Sequence, residues 1–323
     1  MNQPLRPSPF VTTEAPRLDP AKFRDPRVTA KGETRARVKL KALTTLWFNT
    51  GTLCNLTCLN CYIESSPTND ALSYLTTAEA KAYLDEIAAL GLPVSEIGFT
   101  GGEPFMNPDI LEMIAEALDS GFEVLVLTNA MKPMEHRKAG LLAQKNERLT
   151  IRVSLDHHSD AVHEAERGVG TWEKTIDGLQ WLAQEGFSIA VAGRRLTQES
   201  EADAREGFAA LFERLGIPID AFNPGRLVLF PEMDATQDVP EITTACWGIL
   251  HKSPDDVMCA SSRMVVKRRG AQRPAVIACT LTPYDPQFEL GATLAEALGE
   301  VPLNHPHCAR FCVLGGASCT PSP

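Results

Sequence analysis

No stretch of the 323 residues is apolar for long enough to cross a bilayer. The first twenty residues also lack the apolar core of a signal peptide, because Pro4, Pro7, Pro9, Pro16 and Pro20 interrupt them among charges. A soluble, cytoplasmic chain with no membrane partner is the expectation. A basic surplus is missing as well: 31 Lys and Arg stand against 41 Asp and Glu, a net charge of −10. Phosphate backbones need concentrated Lys and Arg, so nucleic acid is not expected as a partner. The densest basic run, Lys267-Arg268-Arg269 beside Gly270, reads as a solvated hairpin tip. No cysteine occurs between Cys61 and Cys246. The cysteine count is odd, nine, and in a reducing compartment such thiols read as ligands rather than disulfides. What remains is ordinary globular composition, 44% hydrophobic and 22% charged, with disorder expected only at the ends.

The densest chemistry lies in Cys54-Asn-Leu-Thr-Cys58-Leu-Asn-Cys61-Tyr62. Thiolate is the soft donor that iron-sulfur clusters require, and three thiolates within eight residues can hold three corners of a cubic cluster. The fourth iron would then lack a protein ligand. A structural zinc site normally closes with four ligands, and no fourth Cys or His lies beside this run, the nearest histidine being His136. A zinc loop remains the alternative at this point.

Residues 1–43, rich in Pro, Arg and Lys, read as an N-terminal extension with a short strand near Val38 to Leu40. A rhythm then begins. Leu90-Gly91, Ser120-Gly121, Glu185-Gly186 and Leu215-Gly216 each close a helical pattern, and a strand-like segment follows each. Thr76-Thr77-Ala78-Glu79 fits a capping box, and Asn107-Pro108 places a cap residue before a first-turn proline. Strands are expected near 45–50, 94–99, 122–128, 149–155, 187–193 and 218–230. Apolar runs such as Val124-Leu125-Val126-Leu127 indicate strands covered on both faces. The fold class is α/β: a partial (β/α)6 TIM-like barrel over residues 44–230, with a small cysteine-rich C-terminal domain over 231–323. In such barrels the loops after the strands carry the chemistry. The cysteine run, Gly101-Gly102-Glu103, Thr128-Asn129 and Ser154 with Asp156 all follow strands and so share one mouth.

The cysteine spacing, the aromatic Tyr62 behind it, Gly101-Gly102-Glu103-Pro104, Val153-Ser154-Leu155-Asp156 and Arg167-Gly168-Val169-Gly170-Thr171-Trp172 come in an order that resembles the radical S-adenosylmethionine (SAM) enzymes. The resemblance covers roughly residues 44–230. It implies a [4Fe-4S] cluster held by Cys54, Cys58 and Cys61, with exchangeable SAM completing the open iron. It further implies a cofactor site of Tyr62, Gly101, Gly102, Glu103, Asn129, Ser154 and Arg167. Glu103 is expected at the SAM amino group and Arg167 at its carboxylate, each as a charge-assisted pair. Each also has a plainer reading: a tight turn for the glycines, a helix N-terminal acid for Glu103, a turn residue for Ser154, an exposed side chain for Arg167. Asp156 stays open between substrate and turn. The pair His157-His158 and His163 are expected in a polar or exposed loop rather than at a metal. No catalytic residue is assigned.

Past Pro231 six cysteines appear. Cys259 and Cys279 flank two short strands about the turn at Gly270, and a hairpin brings its ends together. Cys308, Cys312 and Cys319 follow. The order resembles the twitch domain, a shortened SPASM domain, and implies one auxiliary [4Fe-4S] cluster on Cys259, Cys279 and two or three of Cys308, Cys312 and Cys319. A four-cysteine zinc staple is the alternative, and Cys246 reads as a buried thiol. The expectation is therefore an oxidoreductase-type radical enzyme, served by a reductase such as flavodoxin or ferredoxin, that oxidises or cross-links its substrate. The N-terminal arm is too short for a peptide-recognition domain, which favours a small-molecule substrate and leaves open a peptide recognised through a separate protein. A cluster-binding scaffold without SAM turnover is the rival reading.

Overall fold

The computed structural model describes residues 8–11, 16–231 and 234–316. The short strand β1 (Arg37–Val38) precedes β2 (Thr45–Asn49), and the alternation then runs α1 (Thr77–Leu90), β3 (Glu96–Thr100), α2 (Ile110–Asp119) and β4 (Glu123–Thr128). Two short helices, α3 (Lys132–Glu135) and α4 (Lys138–Ala143), lead to β5 (Leu149–Ser154), α5 (Asp160–Arg167), α6 (Trp172–Gln184), β6 (Ser188–Arg194), α7 (Glu201–Leu215) and β7 (Leu227–Phe230). Strands β2 to β7 are parallel neighbours in chain order. Among the described residues β7 pairs only with β6, so the barrel stays open.

The punctuation behaves as its chemistry requires. Thr76 and Glu79 form the capping box of α1, and Gly91, Gly121, Gly186 and Gly216 all take positive φ. Asn107 departs from expectation. Helix α2 starts later, at Ile110, because the Asn107 amide nitrogen donates to the Thr50 and Leu75 carbonyls and its oxygen accepts from the Asp109 N–H. The asparagine staples the cluster loop to the barrel instead of capping a helix. The strand expected over 218–230 is confined to its last four residues.

The C-terminal part adds α8 (Cys246–Leu250), β8 (Ser262–Val266), β9 (Ala275–Ile277), β10 (Glu289–Gly291), β11 (Val301–Pro302) and a π-helix over Cys308–Leu314. The hairpin of β8 and β9 is antiparallel, as its turn predicts, but β8 also pairs in parallel with β2. The cysteine-rich segment thereby extends the barrel sheet to nine strands. Side chains alternate across this sheet. Leu46, Phe48, Val124, Val126 and Val265 face one core with the helices. Trp47, Leu125, Met264 and Val266 face a second core with the C-terminal segment and the N-terminal arm. Gly98 lies opposite Trp47, where a Cβ would come within 2.3 Å of the indole ring.

The N-terminal extension is bolted to the C-terminal part through Arg35. Its fully buried guanidinium donates to the Asp25, Val28 and Leu303 carbonyls and pairs with Glu241, which also accepts from the Phe23 and Ala30 N–H groups. Removing one partner of such a pair leaves a buried charge unpaired, a cost of about 3–5 kcal/mol. Arg35→Met should therefore lower the urea midpoint of the metal-free protein by a large fraction, and an unchanged midpoint would show that the arm contributes nothing to stability.

Candidate functional site

A cavity opens where the parallel strands end. Its wall takes Thr100, Gly101 and Gly102 after β3, Thr128 and Asn129 after β4, Ser154 and Asp156 after β5, Arg194 at the end of β6 and Phe230 at the end of β7. Cys54, Cys58, Cys61 and Tyr62 line the same space. The segment that carries them, between β2 and α1, has no helix or strand of its own, and neighbouring backbone holds it. Gly102 N–H donates to the Gly51 carbonyl at 2.8 Å, Glu103 N–H to the Leu53 carbonyl at 3.1 Å, and Cys54 N–H to the Ser66 carbonyl at 3.0 Å. A Cβ on Gly102 would sit 2.2 Å from the Leu53 oxygen, and Gly101 has φ +138 with its own Cβ position 2.5 Å from the Gly51 oxygen. The two glycines let the loop lie flat on the strand end.

Burial pushes the Cys54 thiol up to about 11 and Cys58 up to about 12. Without metal these thiols are neutral at pH 7, so cluster binding must displace their protons. The donor set is three soft sulfurs, with no fourth thiol and no histidine among the described residues lining the cavity, which fits an open cluster with SAM. Asn129 Nδ2 lies 4.0 Å from Cys54 Sγ and donates to Asn55 Oδ1 at 2.9 Å.

Two of the expected SAM contacts are engaged elsewhere. Glu103 is 1% exposed and turns behind the cavity wall, accepting from Thr128 Oγ1 at 2.8 Å and from the Asn129 and Phe105 N–H groups. Its carboxylate ties the end of β4 to the end of β3. Arg167 does line the cavity, but Nε and Nη2 donate to the two oxygens of Asp156 at 2.7 and 3.0 Å. Asp156, left open by the sequence, is the partner of that fork, and the Arg167 charge holds its carboxyl below the usual range against burial.

Sequence reasoning passed over Arg194, although it directly follows the strand expected over 187–193 and strand ends carry the chemistry in this fold. It also did not pair the histidines with Glu199. His157 and His158 stack with ring centroids 4.0 Å apart, and their Nε2 atoms lie 3.4 and 3.1 Å from the two oxygens of Glu199. The three donor atoms are close enough for one ion. His157 Nδ1, however, accepts from the Ser159 N–H, which leaves the proton on Nε2, and Glu199 hydrogen-bonds His158 Nε2 through Oε1 while its Oε2 stands at ion-pair distance from His157 Nε2. His163 is buried rather than exposed, and burial lowers it to about 4.

A second, smaller cavity is lined by Cys259, Cys279, Cys308 and Cys312 together with His307. The hairpin brings the first two, and the π-helix places the last two one turn apart. Cys319 lies outside the described residues. Burial pushes Cys259 up to about 11 and Cys308 up to about 12, and raises Cys279 well above its ordinary value. Leu281 lines both cavities, and Phe311, on the π-helix between Cys308 and Cys312, faces the first. Cys246 is half-buried and accepts from the Thr243 N–H.

Comparison with known proteins agrees with this geometry. The family model of the radical SAM superfamily matches residues 48–206. An AdoMet-dependent heme synthase of Methanosarcina barkeri is 33% identical over 139 residues, 43% of this chain and 38% of that protein. The antilisterial bacteriocin subtilosin biosynthesis protein AlbA of Bacillus subtilis is 30% identical over 191 residues, 57% of this chain and 41% of its own. The chain thus spans about two fifths of the length of these curated relatives. In structure it is similar to Streptococcus suis SuiB, solved with S-adenosylmethionine, at a TM-score of 0.57 and 13% identity, over 78% of this chain and 64% of that one. SuiB has also been solved with its precursor peptide SuiA.

Burial pushes the Glu103 carboxyl up to about 7, against the hydrogen bonds that hold its charged form. A carboxyl raised on folding contributes stability that is fully present below its unfolded value near 4.5 and lost as pH rises through about 7. Glu103→Gln cannot titrate. Between pH 4.5 and 8 the metal-free wild type should lose stability relative to that variant by on the order of 3 kcal/mol, read from urea midpoints at a series of pH values. Parallel pH curves for the two proteins would show that Glu103 titrates as an ordinary glutamate.

Proposed function

The chain belongs to the radical SAM superfamily, and from that premise we propose that it cleaves SAM reductively and takes a hydrogen atom from a peptide substrate at the barrel mouth. The observation that carries the reading is the meeting of Cys54, Cys58 and Cys61 with Gly101, Gly102, Asn129 and Ser154 around one cavity. When bound, the open cluster and SAM supply the chemistry, splitting SAM into methionine and a 5′-deoxyadenosyl radical that abstracts hydrogen. The protein's residues supply position and exclusion of water. Carbonyls at the Gly101–Gly102 strand end accept the SAM amino group. The edge of Arg167 that Asp156 leaves open meets the SAM carboxylate. Ser154 and Asn129 offer hydrogen bonds to the rest of the molecule. Leu56, Ile63, Leu127 and Phe230 keep the space apolar, which protects a reactive carbon radical from quenching.

The C-terminal cysteines serve an auxiliary [4Fe-4S] cluster in this reading, with Cys259, Cys279, Cys308 and Cys312 as its four ligands. The gathering of these four thiols around one cavity supports it. So does the position of Leu281, which lines both cavities, and of Phe311, which lines the first from the helix that carries Cys308 and Cys312. Oxidising a substrate radical requires an acceptor for one electron, and a carrier behind this wall is within reach. A reductase of the flavodoxin or ferredoxin kind would deliver the first electron. A peptide substrate is favoured by AlbA and by SuiB with its precursor peptide. The heme synthase keeps a small molecule as the second reading.

Anaerobically reconstituted protein, reduced in the presence of SAM, should form 5′-deoxyadenosine. The variant with Cys54, Cys58 and Cys61 all replaced by alanine should form none. Absence of product from the wild type with an intact cluster would favour the scaffold reading.

The same triple variant separates the two metal sites. Iron and sulfide should each fall by about four per chain while the protein stays brown with a reducible paramagnetic signal. A colourless variant holding one zinc per chain after reconstitution would make the C-terminal site a structural staple.

A further inference from the structure

We propose that Arg194 is the anion-recognition residue on the substrate side of the cavity, and that the substrate presents a carboxylate to it. This rests on the reading of the barrel mouth as the reaction site. Arg194 ends β6, lines the cavity and keeps only 9% of its side chain exposed. Nη1 pairs with Glu166 Oε1 at 2.9 Å. Nε and Nη2, buried, have no partner among the described residues. These two nitrogens form one edge of the guanidinium and present parallel N–H groups at the spacing of a carboxylate's oxygens. A buried donor pair left unsatisfied is costly, and a cavity that retains one has a ligand to meet it.

The surroundings fix that edge in place. The Phe10 ring covers one face of the guanidinium, its centroid 4.2 Å from Cζ, and Phe10 is itself fully buried. Ser8 Oγ donates to Glu166 Oε2, and the Asn60 N–H shares Glu166 Oε1 with Arg194. The Glu166 charge is thereby spread over three donors. Asn60 lines the same cavity, and its buried Nδ2 is a further donor without a partner among the described residues. Arg194 and Asn60, with the strap at Ser8–Phe10 behind them, bring to the cavity wall three buried donor nitrogens that have no partner among the described residues.

Arg167 does not compete for this role. Its charge acts on Cys54, Cys58 and Glu103, which puts it on the cluster side, and Asp156 occupies its fork. Arg194 stands one strand further out, beside β7, whose Phe230 also lines the cavity. The two arginines divide the mouth: Arg167 toward SAM, Arg194 toward the substrate. For a peptide the partner is an acidic side chain or a chain carboxylate.

The test reads binding and not turnover, so its outcome is independent of whether SAM is cleaved. Glutarate, a mimic of an acidic side chain, and neutral glutaramide are titrated by equilibrium dialysis into the reconstituted, SAM-loaded protein. Wild type should prefer glutarate by roughly ten- to hundredfold, the loss expected when a charge-assisted pair is removed. R194Q should abolish the preference, and R194K, which keeps the charge without the fork, should retain part of it. R194K also serves should R194Q fail to assemble its clusters. No preference in wild type, or an undiminished preference in the assembled variants, overturns the proposal. So does a tenfold loss of SAM affinity in R194Q that decarboxylated SAM does not share, since that would give the carboxylate to SAM.

Discussion

The cluster loop has to lie in van der Waals contact with the end of the neighbouring strand, and the rest of the site depends on that contact. The loop contains no helix or strand of its own, so its position comes from its neighbours: backbone bonds to the Gly101–Glu103 turn, bonds from Leu59 and Asn60 to Glu166 of α5, and the Asn107 amide, which bridges the Thr50 and Leu75 carbonyls. Any side chain at position 102 would strike the Leu53 carbonyl. Once the loop is seated, the Glu103 carboxylate behind it fixes the end of β4, which delivers Asn129 to Cys54. The cost of burying that carboxylate is thus the cost of aligning two strand ends around the thiols.

A second constraint is the attachment of the C-terminal segment. Had its hairpin formed a separate sheet, the distance between the two cysteine sets would depend on a linker. The parallel pairing of β8 with β2 removes that freedom, because β2 leads directly into the Cys54 loop while Cys259 lies three residues ahead of β8. The N-terminal arm adds a strap on the outside. Arg35 holds it to Glu241, and its first described residues reach across to Glu166 and Arg194.

The six parallel strands, the glycine-ended helices and the gathering of motifs at one mouth were legible because each rests on local chemistry: period, caps and left-handed glycines. The thiols proposed as ligands stood out because sulfur donors have few other uses at such spacing. The partners of charges were not. Asp156 and Arg167 are eleven residues apart in sequence and Arg194 and Glu166 twenty-eight, and only the folded sheet determines which carboxylate meets which guanidinium. The parallel register of β8 beside β2 was likewise invisible, since a hairpin pattern specifies its own antiparallel pairing but not which outer edge receives it.

These ion pairs explain how two arginines at one mouth can serve different ligands. Asp156 takes the Nε–Nη2 edge of Arg167, and Glu166 takes Nη1 of Arg194. In each case one carboxylate balances the charge, so neither arginine is left as a bare cation in the wall, which desolvation would penalise heavily. The carboxylates differ in which edge they occupy. Opposite edges stay open as a result, and an incoming anion can bind by completing a hydrogen-bond set instead of displacing an existing pair. Preorganisation of this kind costs little on binding, since the guanidinium of Arg194 is already held flat between Phe10 and Glu166. Selectivity then follows from geometry, because a neutral or monodentate group would leave at least one of the buried N–H donors unmet.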